Sequence, residues 1–174
     1  MQILKSIVLA AAIISSSSCS KSFTHIVSSG NFSGSELIGK PIVGSHMTTE
    51  GSILNFENIT DKPLLLMISE EFCIPCNEEA EELRDHLKGE KPRTIHIVTS
   101  LAGATQQDAI DWKNIRDIPW TVISDENLKV LKAYCPDFGT PCILIQRPGE
   151  GVVKYVGQQK LPISEIEAFT GPIE

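Results

Sequence analysis

Positive charge is in short supply in this chain: 15 Lys and Arg stand against 22 Asp and Glu, giving a formal net charge of −7 and a pI near 5.1. No Lys/Arg stripe is available to neutralise phosphates, which argues against nucleic acid as a partner. Long like-charge runs and internal repeats are absent. Beyond the first nineteen residues no stretch of 18 apolar residues occurs, so that part carries no membrane-spanning pattern. The whole chain has 174 residues, 41% of them hydrophobic: one domain's worth of chain, able to build a core without disulfide stapling.

The first eighteen residues read as an export leader. Lys5 supplies a positive start, Ile7 to Ile14 an apolar run too short to span a bilayer, and Ser15 to Ser18 the small residues before a cleavage point. Cys19 follows directly, and the arrangement resembles a bacterial lipoprotein signal, although Ser16 stands where that signal usually has Leu or another aliphatic residue. The resemblance implies a diacylated Cys19 as the new N-terminus, and hence a cell-envelope protein facing the periplasm, anchored stably by paired acyl chains. Residues 19–37, rich in Ser, Gly and Asn, read as a flexible tether to a domain spanning 38–174. Exported chains meet an oxidising compartment, so the four cysteines other than Cys19 carry weight: Cys73, Cys76, Cys135 and Cys142.

Along the domain, turn signals over 39–51 surround a short hairpin-like segment, with Ser52 to Phe56 as a strand candidate. Leu64 to Ile68 is a continuous apolar run, suited to a strand covered on both faces. The charged stretch Asn77 to Lys88 is an amphipathic helix with Ala80, Leu83 and Leu87 on one face and Gly89 as its stop. Strands are expected at Thr94 to Val98, Trp120 to Ile123, Cys142 to Gln146 and Val152 to Val156. Helices are expected at Ala104 to Ile115 and Leu128 to Tyr134, and a capping box at Ser164 and Glu167 opens the last one. Trp112 and Trp120 read as packing residues within these elements. The order β-α-β-α-β-α-β-β-α belongs to an α/β domain with a mixed sheet.

Between the apolar strand and the charged helix lies Cys73-Ile74-Pro75-Cys76. A strand running into C-x-x-C and then into a helix places the first cysteine at the helix N-terminus. Unpaired N–H groups and the positive end of the dipole favour its thiolate there, which is the recipe for a dithiol that exchanges with disulfides. The motif alone also suits half a zinc site or a Cu(I) site. Zinc lacks its second pair, since Cys135 and Cys142 do not have zinc-ribbon spacing and His25, His46, His86 and His96 share no ligand spacing. His86 reads as a solvated helix residue and His96 as a core or edge residue of a strand.

Further on, Gly139-Thr140-Pro141 precedes a strand, where a proline cannot join the ladder and needs a particular reason. Phe72 to Cys76, Gly139 to Pro141 and the Pro148 to Gly151 hairpin together resemble the thioredoxin superfamily, and within it the membrane-anchored TlpA/ResA-type thiol–disulfide oxidoreductases. The resemblance implies a thioredoxin-like three-layer α/β/α sandwich around a central mixed β-sheet. It implies a cis bond at Pro141 lying against the dithiol, with the backbone of Thr140 pairing with an extended substrate. Cys73 would attack, Cys76 would resolve, and Phe72, where the family usually has Trp, would share the substrate-facing surface. No cofactor beyond the redox disulfide is implied; the partners are exported protein thiols or disulfides and a membrane electron donor or acceptor.

Met67 occupies the strand position where relatives carry a buried acid or Asn, so proton transfer to Cys76 needs water or another residue. Glu70 and Glu71 read as solvated, with a charge effect on Cys73 only if one of them points at it. Cys135 and Cys142 are read either as buried small hydrophobes, as a second disulfide clamping the Thr140 loop, or as a relay pair. Other functions remain: a Cu(I)-binding metallochaperone-like protein, a non-catalytic binding module, and a peroxidase. The last needs Pro-x-x-x-Thr/Ser-x-x-Cys, which Met67 and Ser69 do not supply before Cys73.

Overall fold

The computed structural model describes residues 34–135 and 139–174. The leader, Cys19 and the tether up to residue 33 lie outside the described residues.

Among the described residues, seven strands and four α-helices follow the order expected from the apolar pattern. β1 (Ser45–Met47) and β2 (Ile53–Asn55) form a small antiparallel hairpin. Then come β3 (Leu64–Ser69), α1 (Ile74–His86), β4 (His96–Ala102), α2 (Gln106–Ile115), β5 (Thr121–Asp125) and α3 (Lys129–Tyr134). β6 (Cys142–Arg147), β7 (Gly151–Gly157) and α4 (Ile163–Thr170) complete the chain. The main sheet has the order β5-β4-β3-β6-β7. β3 pairs in parallel with β4, and β4 with β5, whereas β3–β6 and β6–β7 are antiparallel. The mixed sheet is therefore real, and β3 is its central strand.

All six residues of β3 are buried, because each face of the strand carries its own core. Leu65 and Met67 face Ala80 and Leu83 of α1, Ala109 and Trp112 of α2, and Ile166 of α4. Leu64, Leu66 and Ile68 face Val130, Leu131 and Tyr134 of α3, together with Leu37, Ile42 and Phe56 of the lead-in segment. A period of two thus divides one apolar run between two layers of covering structure.

Several local features differ from the sequence reading. Residues 34–37 are not tether but a 3₁₀ turn with Gly34 and Leu37 buried, since Leu37 finds a place in the second core. β4 starts at His96 rather than Thr94, set by the parallel register that pairs Leu64 with His96 and Ser69 with Leu101. Thr94 instead donates from its hydroxyl to the Pro172 carbonyl. The capping box at Ser164 does not form: α4 begins at Ile163 with Pro162 as its cap and no side-chain capping bond. A box does form where none was expected, at α2, between Thr105 and Asp108. α1 starts three residues earlier than Asn77 because Cys73 caps it, and it ends where Gly89, at positive φ, donates to the Arg84 carbonyl.

Candidate active site

The site lies at the C-terminal end of β3, where open α/β sheets place their ligands. The chain leaves the sheet at Ser69, turns through Glu70-Glu71-Phe72, and enters α1 at Ile74. Cys73 is the N-cap of α1, and its sulfur accepts the Cys76 N–H at 3.3 Å. Pro75 falls in the first turn, where a missing N–H costs nothing. Cys73 and Cys76 are joined as a disulfide with their Cα atoms 5.3 Å apart. Cys76 is fully buried and Cys73 half-buried, while the flanking Phe72 and Ile74 are 86% and 70% exposed. One sulfur can thus be reached from outside and the other cannot.

Gly139-Thr140-Pro141 reaches the same end of the sheet through β6. The pairing of Ile68 with Cys142 brings Pro141 level with Ser69, only four residues before Cys73. The Thr140–Pro141 bond is cis, and the Thr140 hydroxyl donates to Glu70 Oε1 at 3.2 Å. Gln158, just after β7, donates its N–H to the Pro141 carbonyl at 2.8 Å, and its side chain lies over Gly139. A Cβ at residue 139 would meet that side chain, which would have to move aside.

Asn77 and Glu79 complete the surroundings of the dithiol, and neither was singled out from the sequence. Asn77 donates from its amide to the Glu71 carbonyl at 3.2 Å and accepts from Trp112 Nε1 at 2.9 Å, fastening the turn before Cys73 to α2. Glu79 lies three residues after Cys76 on the buried face of α1, so their Cβ atoms are about 5–6 Å apart. It is 5% exposed; one carboxyl oxygen accepts the Leu161 N–H at 2.8 Å and the other has no partner. Burial pushes its pKa up to about 7, against the opposing pull of the Leu161 N–H and of Lys160. The signal was present in outline: the step from Cys76 to Glu79, Ala80 and Leu83 is a helical apolar face with one acid in it.

The remaining candidates fall elsewhere. Met67 is buried beneath α1, paired with Thr99 and Ile143, so its position supplies no proton carrier. The second disulfide considered for Cys135 and Cys142 is corrected: the two are not joined. Their sulfurs turn to backbone carbonyls instead, Cys135 to Gly139 at 3.0 Å and Cys142 to Tyr134 at 3.6 Å. Both are fully buried, Cys142 under the strand end that carries Pro141. His86 lies 3.5 Å from Glu167 and His96 hydrogen-bonds Asp61 at 2.9 Å, both away from the dithiol. Among the described residues no group of three His, Cys, Asp or Glu is placed to hold a metal ion, and no helix is long and apolar enough to cross a membrane.

A family profile described as AhpC/TSA matches residues 38–145. No curated protein matches the sequence significantly. Several solved structures share the thioredoxin-like fold. The thioredoxin domain of a thiol–disulfide oxidoreductase from Bacteroides vulgatus superposes with a TM-score of 0.64 at 17% identity, over 77% of this chain and 98% of that one. A secreted Mycobacterium tuberculosis disulfide oxidoreductase homologous to E. coli DsbE gives 0.58 at 16% identity, over 72% and 90%. Enterococcus faecalis AhpC gives 0.62 at 14% identity, over 76% and 89%.

Proposed function

The chain belongs to the AhpC/TSA family, and from that premise we propose that it is a thiol–disulfide oxidoreductase that reduces disulfides of exported proteins through Cys73 and Cys76. The observation that carries this reading is a disulfide at a helix N-terminus with one sulfur accessible, set level with a cis proline on the neighbouring strand. In the reduced protein the Cys73 thiolate is stabilised by the Cys76 N–H and the positive end of α1, an effect of about 0.3–1 kcal/mol at an exposed terminus and up to about 2 where partly buried. It attacks one sulfur of a substrate disulfide held in extended form along Thr140, and the other substrate sulfur leaves as a thiol after taking a proton. Cys76 then attacks Cys73 in the mixed disulfide and releases the second substrate thiol. The Cys76 thiol must first lose its proton in a buried place. Glu79, half-ionised near pH 7, is the acid–base group within reach, and it fills the role that Met67 leaves vacant. The enzyme ends as the disulfide, and a membrane electron donor of dithiol type returns it to the reduced form with two electrons and two protons.

Location completes the proposal: residues 1–18 are an export leader, Cys19 carries a lipid anchor in the cell envelope, and a tether leads to a folded domain that begins by Gly34. Reduction of insulin by dithiothreitol is the test. The protein should accelerate it, Cys73→Ser should abolish the acceleration, and absence of acceleration would sink the enzymatic reading. A reduction potential near about −270 mV supports the reducing direction, and one near about −120 mV overturns it. The family description and the likeness to E. faecalis AhpC favour one other reading, peroxide reduction at Cys73. Rapid consumption of hydrogen peroxide without any acceleration of insulin reduction would select it.

A further inference from the structure

The turn that carries Cys73 is held by hydrogen bonds rather than by packing. Phe72 and Ile74, on either side of the cysteine, expose 86% and 70% of their surface, so neither anchors the chain in a core. The Cys73 N–H donates to the Glu70 carbonyl at 3.2 Å, and the Cys73 carbonyl accepts from the Asn77 N–H at 3.0 Å. Between them, the Glu71 carbonyl accepts from the Asn77 side-chain amide at 3.2 Å. Asn77 thus grips the turn twice, once from its backbone and once from its side chain. The amide is itself fixed by Trp112, whose Nε1–H donates to Asn77 Oδ1 at 2.9 Å. An indole N–H can only donate and a backbone carbonyl can only accept, so the place demands a side chain with one acceptor and one donor. Asp would turn a second acceptor towards Glu71, and an apolar residue would leave both neighbours unpaired. Trp112 is 1% exposed, and Arg116, the C-cap of α2, places its guanidinium 5.1 Å from the ring centroid, which steadies the indole.

While the disulfide lasts, it keeps the Cys73 sulfur beside Cys76, 3.3 Å from the Cys76 N–H. Once it is reduced that covalent tie is gone, and the hydrogen bonds of the turn are what remain to keep Cys73 at the helix cap. We infer that Asn77 is a positioning residue for Cys73: through Trp112 and the Glu71 carbonyl it holds the reduced Cys73 sulfur over the Cys76 N–H, and so keeps it a thiolate. The stabilisation that a helix terminus offers a negative charge falls off within the first turn, so a small displacement of the sulfur forfeits much of it. Released from Asn77, the turn lets Cys73 leave the cap, and its thiol then ionises only at higher pH. Asn77 touches neither substrate nor sulfur with its side chain; it acts through the backbone that carries the sulfur. The ionisable groups around the turn are Glu70 and Glu71 within it, Asp108 of α2 beside them, Glu79 on α1 and Lys160 in the segment after β7. None of them changes when Asn77 or Trp112 is replaced, so a difference in ionisation belongs to the clamp. This inference rests on the thiol–disulfide exchange proposed above and adds what sets its nucleophile in place.

The test uses the full chain, reduced with dithiothreitol and freed of excess reductant. It is alkylated with iodoacetamide from about pH 5 to about pH 10, and the rate at Cys73 is read by mass spectrometry of the peptide that contains it. In Asn77→Ala the midpoint of the profile should move up. At about pH 6 Cys73 should then react about three- to tenfold more slowly than in the parent, and the two rates should converge at the alkaline plateau, where every thiol is ionised. Trp112→Phe should shift the profile in the same direction by less. The double variant should go no further than Asn77→Ala alone, because the indole acts through the amide. Leu37→Ala truncates a side chain 4% exposed on the opposite face of the sheet, and should lower stability without moving the profile. A profile in Asn77→Ala that coincides with the parent's, an equal shift in Leu37→Ala, or shifts that add in the double variant would each overturn the inference. Should Asn77→Ala fail to fold, the comparison of Trp112→Phe with Leu37→Ala decides the matter. Hydroxyethyl disulfide keeps the two readings apart: if the parent does not reduce it, the oxidoreductase reading falls, whereas the alkylation profiles still report whether Asn77 sets the state of Cys73.

Discussion

Replacement of Glu79 by Gln isolates the cost of one buried carboxylate. Glu79 is 5% exposed and its pKa is raised from 4.5 to about 7, mainly by burial. At acid pH the carboxyl is protonated in both folded and unfolded chains and contributes no penalty. As pH rises from 4.5 towards 7 the unfolded chain has released a proton that the folded chain still holds, so stability falls. Above about 7 the folded chain must bury a charge, and the full difference applies. At about 1.4 kcal/mol per pH unit, the shift corresponds to about 3 kcal/mol at pH 8 and to less than about 0.5 kcal/mol at pH 4. Gln keeps the acceptor for Leu161 and removes the titration. Its NH₂ has no acceptor where the unpaired oxygen lay, which adds an offset that does not change with pH. Urea unfolding of the oxidised full chain, followed by Trp112 and Trp120 fluorescence, should show Glu79→Gln gaining about 3 kcal/mol on the parent between pH 4 and pH 8. A difference that stays flat with pH, or changes in the opposite sense, would refute the burial of an ionisable Glu79 and with it the proton-carrier role.

Other outcomes follow from the same geometry. Cys76→Ser should accumulate protein–substrate mixed disulfides, visible as higher-mass species that dithiothreitol removes, because the buried resolving sulfur is gone. Trp112→Phe should lower stability by about 1–2 kcal/mol in urea unfolding, since Asn77 loses the donor that ties the dithiol turn to α2. Cys19→Ala should shift the expressed protein from the detergent phase to the aqueous phase on partition, as loss of the acyl chains removes its anchor.

The redox motif, the proline that faces it and the alternation of strands and helices were legible because each depends on local chemistry. C-x-x-C before an amphipathic pattern specifies a helix N-cap, and a proline before an apolar run marks a strand end that cannot pair normally. Glu79 was not legible, because α1 has acids at Glu78, Glu79, Glu81 and Glu82 and composition does not say which one is covered. That is decided by Leu161, 82 residues away, whose N–H meets the carboxyl when the β7–α4 loop docks on α1. The start of β4 was likewise not local, since it is set by parallel pairing with β3. The failed capping box at Ser164 has a similar origin: Leu161 and Pro162 are already committed to α1 and to the helix start, which leaves Ser164 inside the first turn.

Taken alone, the amino-acid order determined where the dithiol sits, that its first cysteine caps a helix, and that a mixed sheet supports it. These follow from short-range rules of periodicity, capping and proline geometry. Only the tertiary structure decided that Cys135 and Cys142 stay apart, that Glu79 alone among the glutamates of α1 is buried, on the same face as Cys76, and that Glu70 joins Thr140 across the site. Those outcomes depend on the direction in which a side chain leaves its backbone and on what another segment covers. Neither is written in the spacing of residues along one chain.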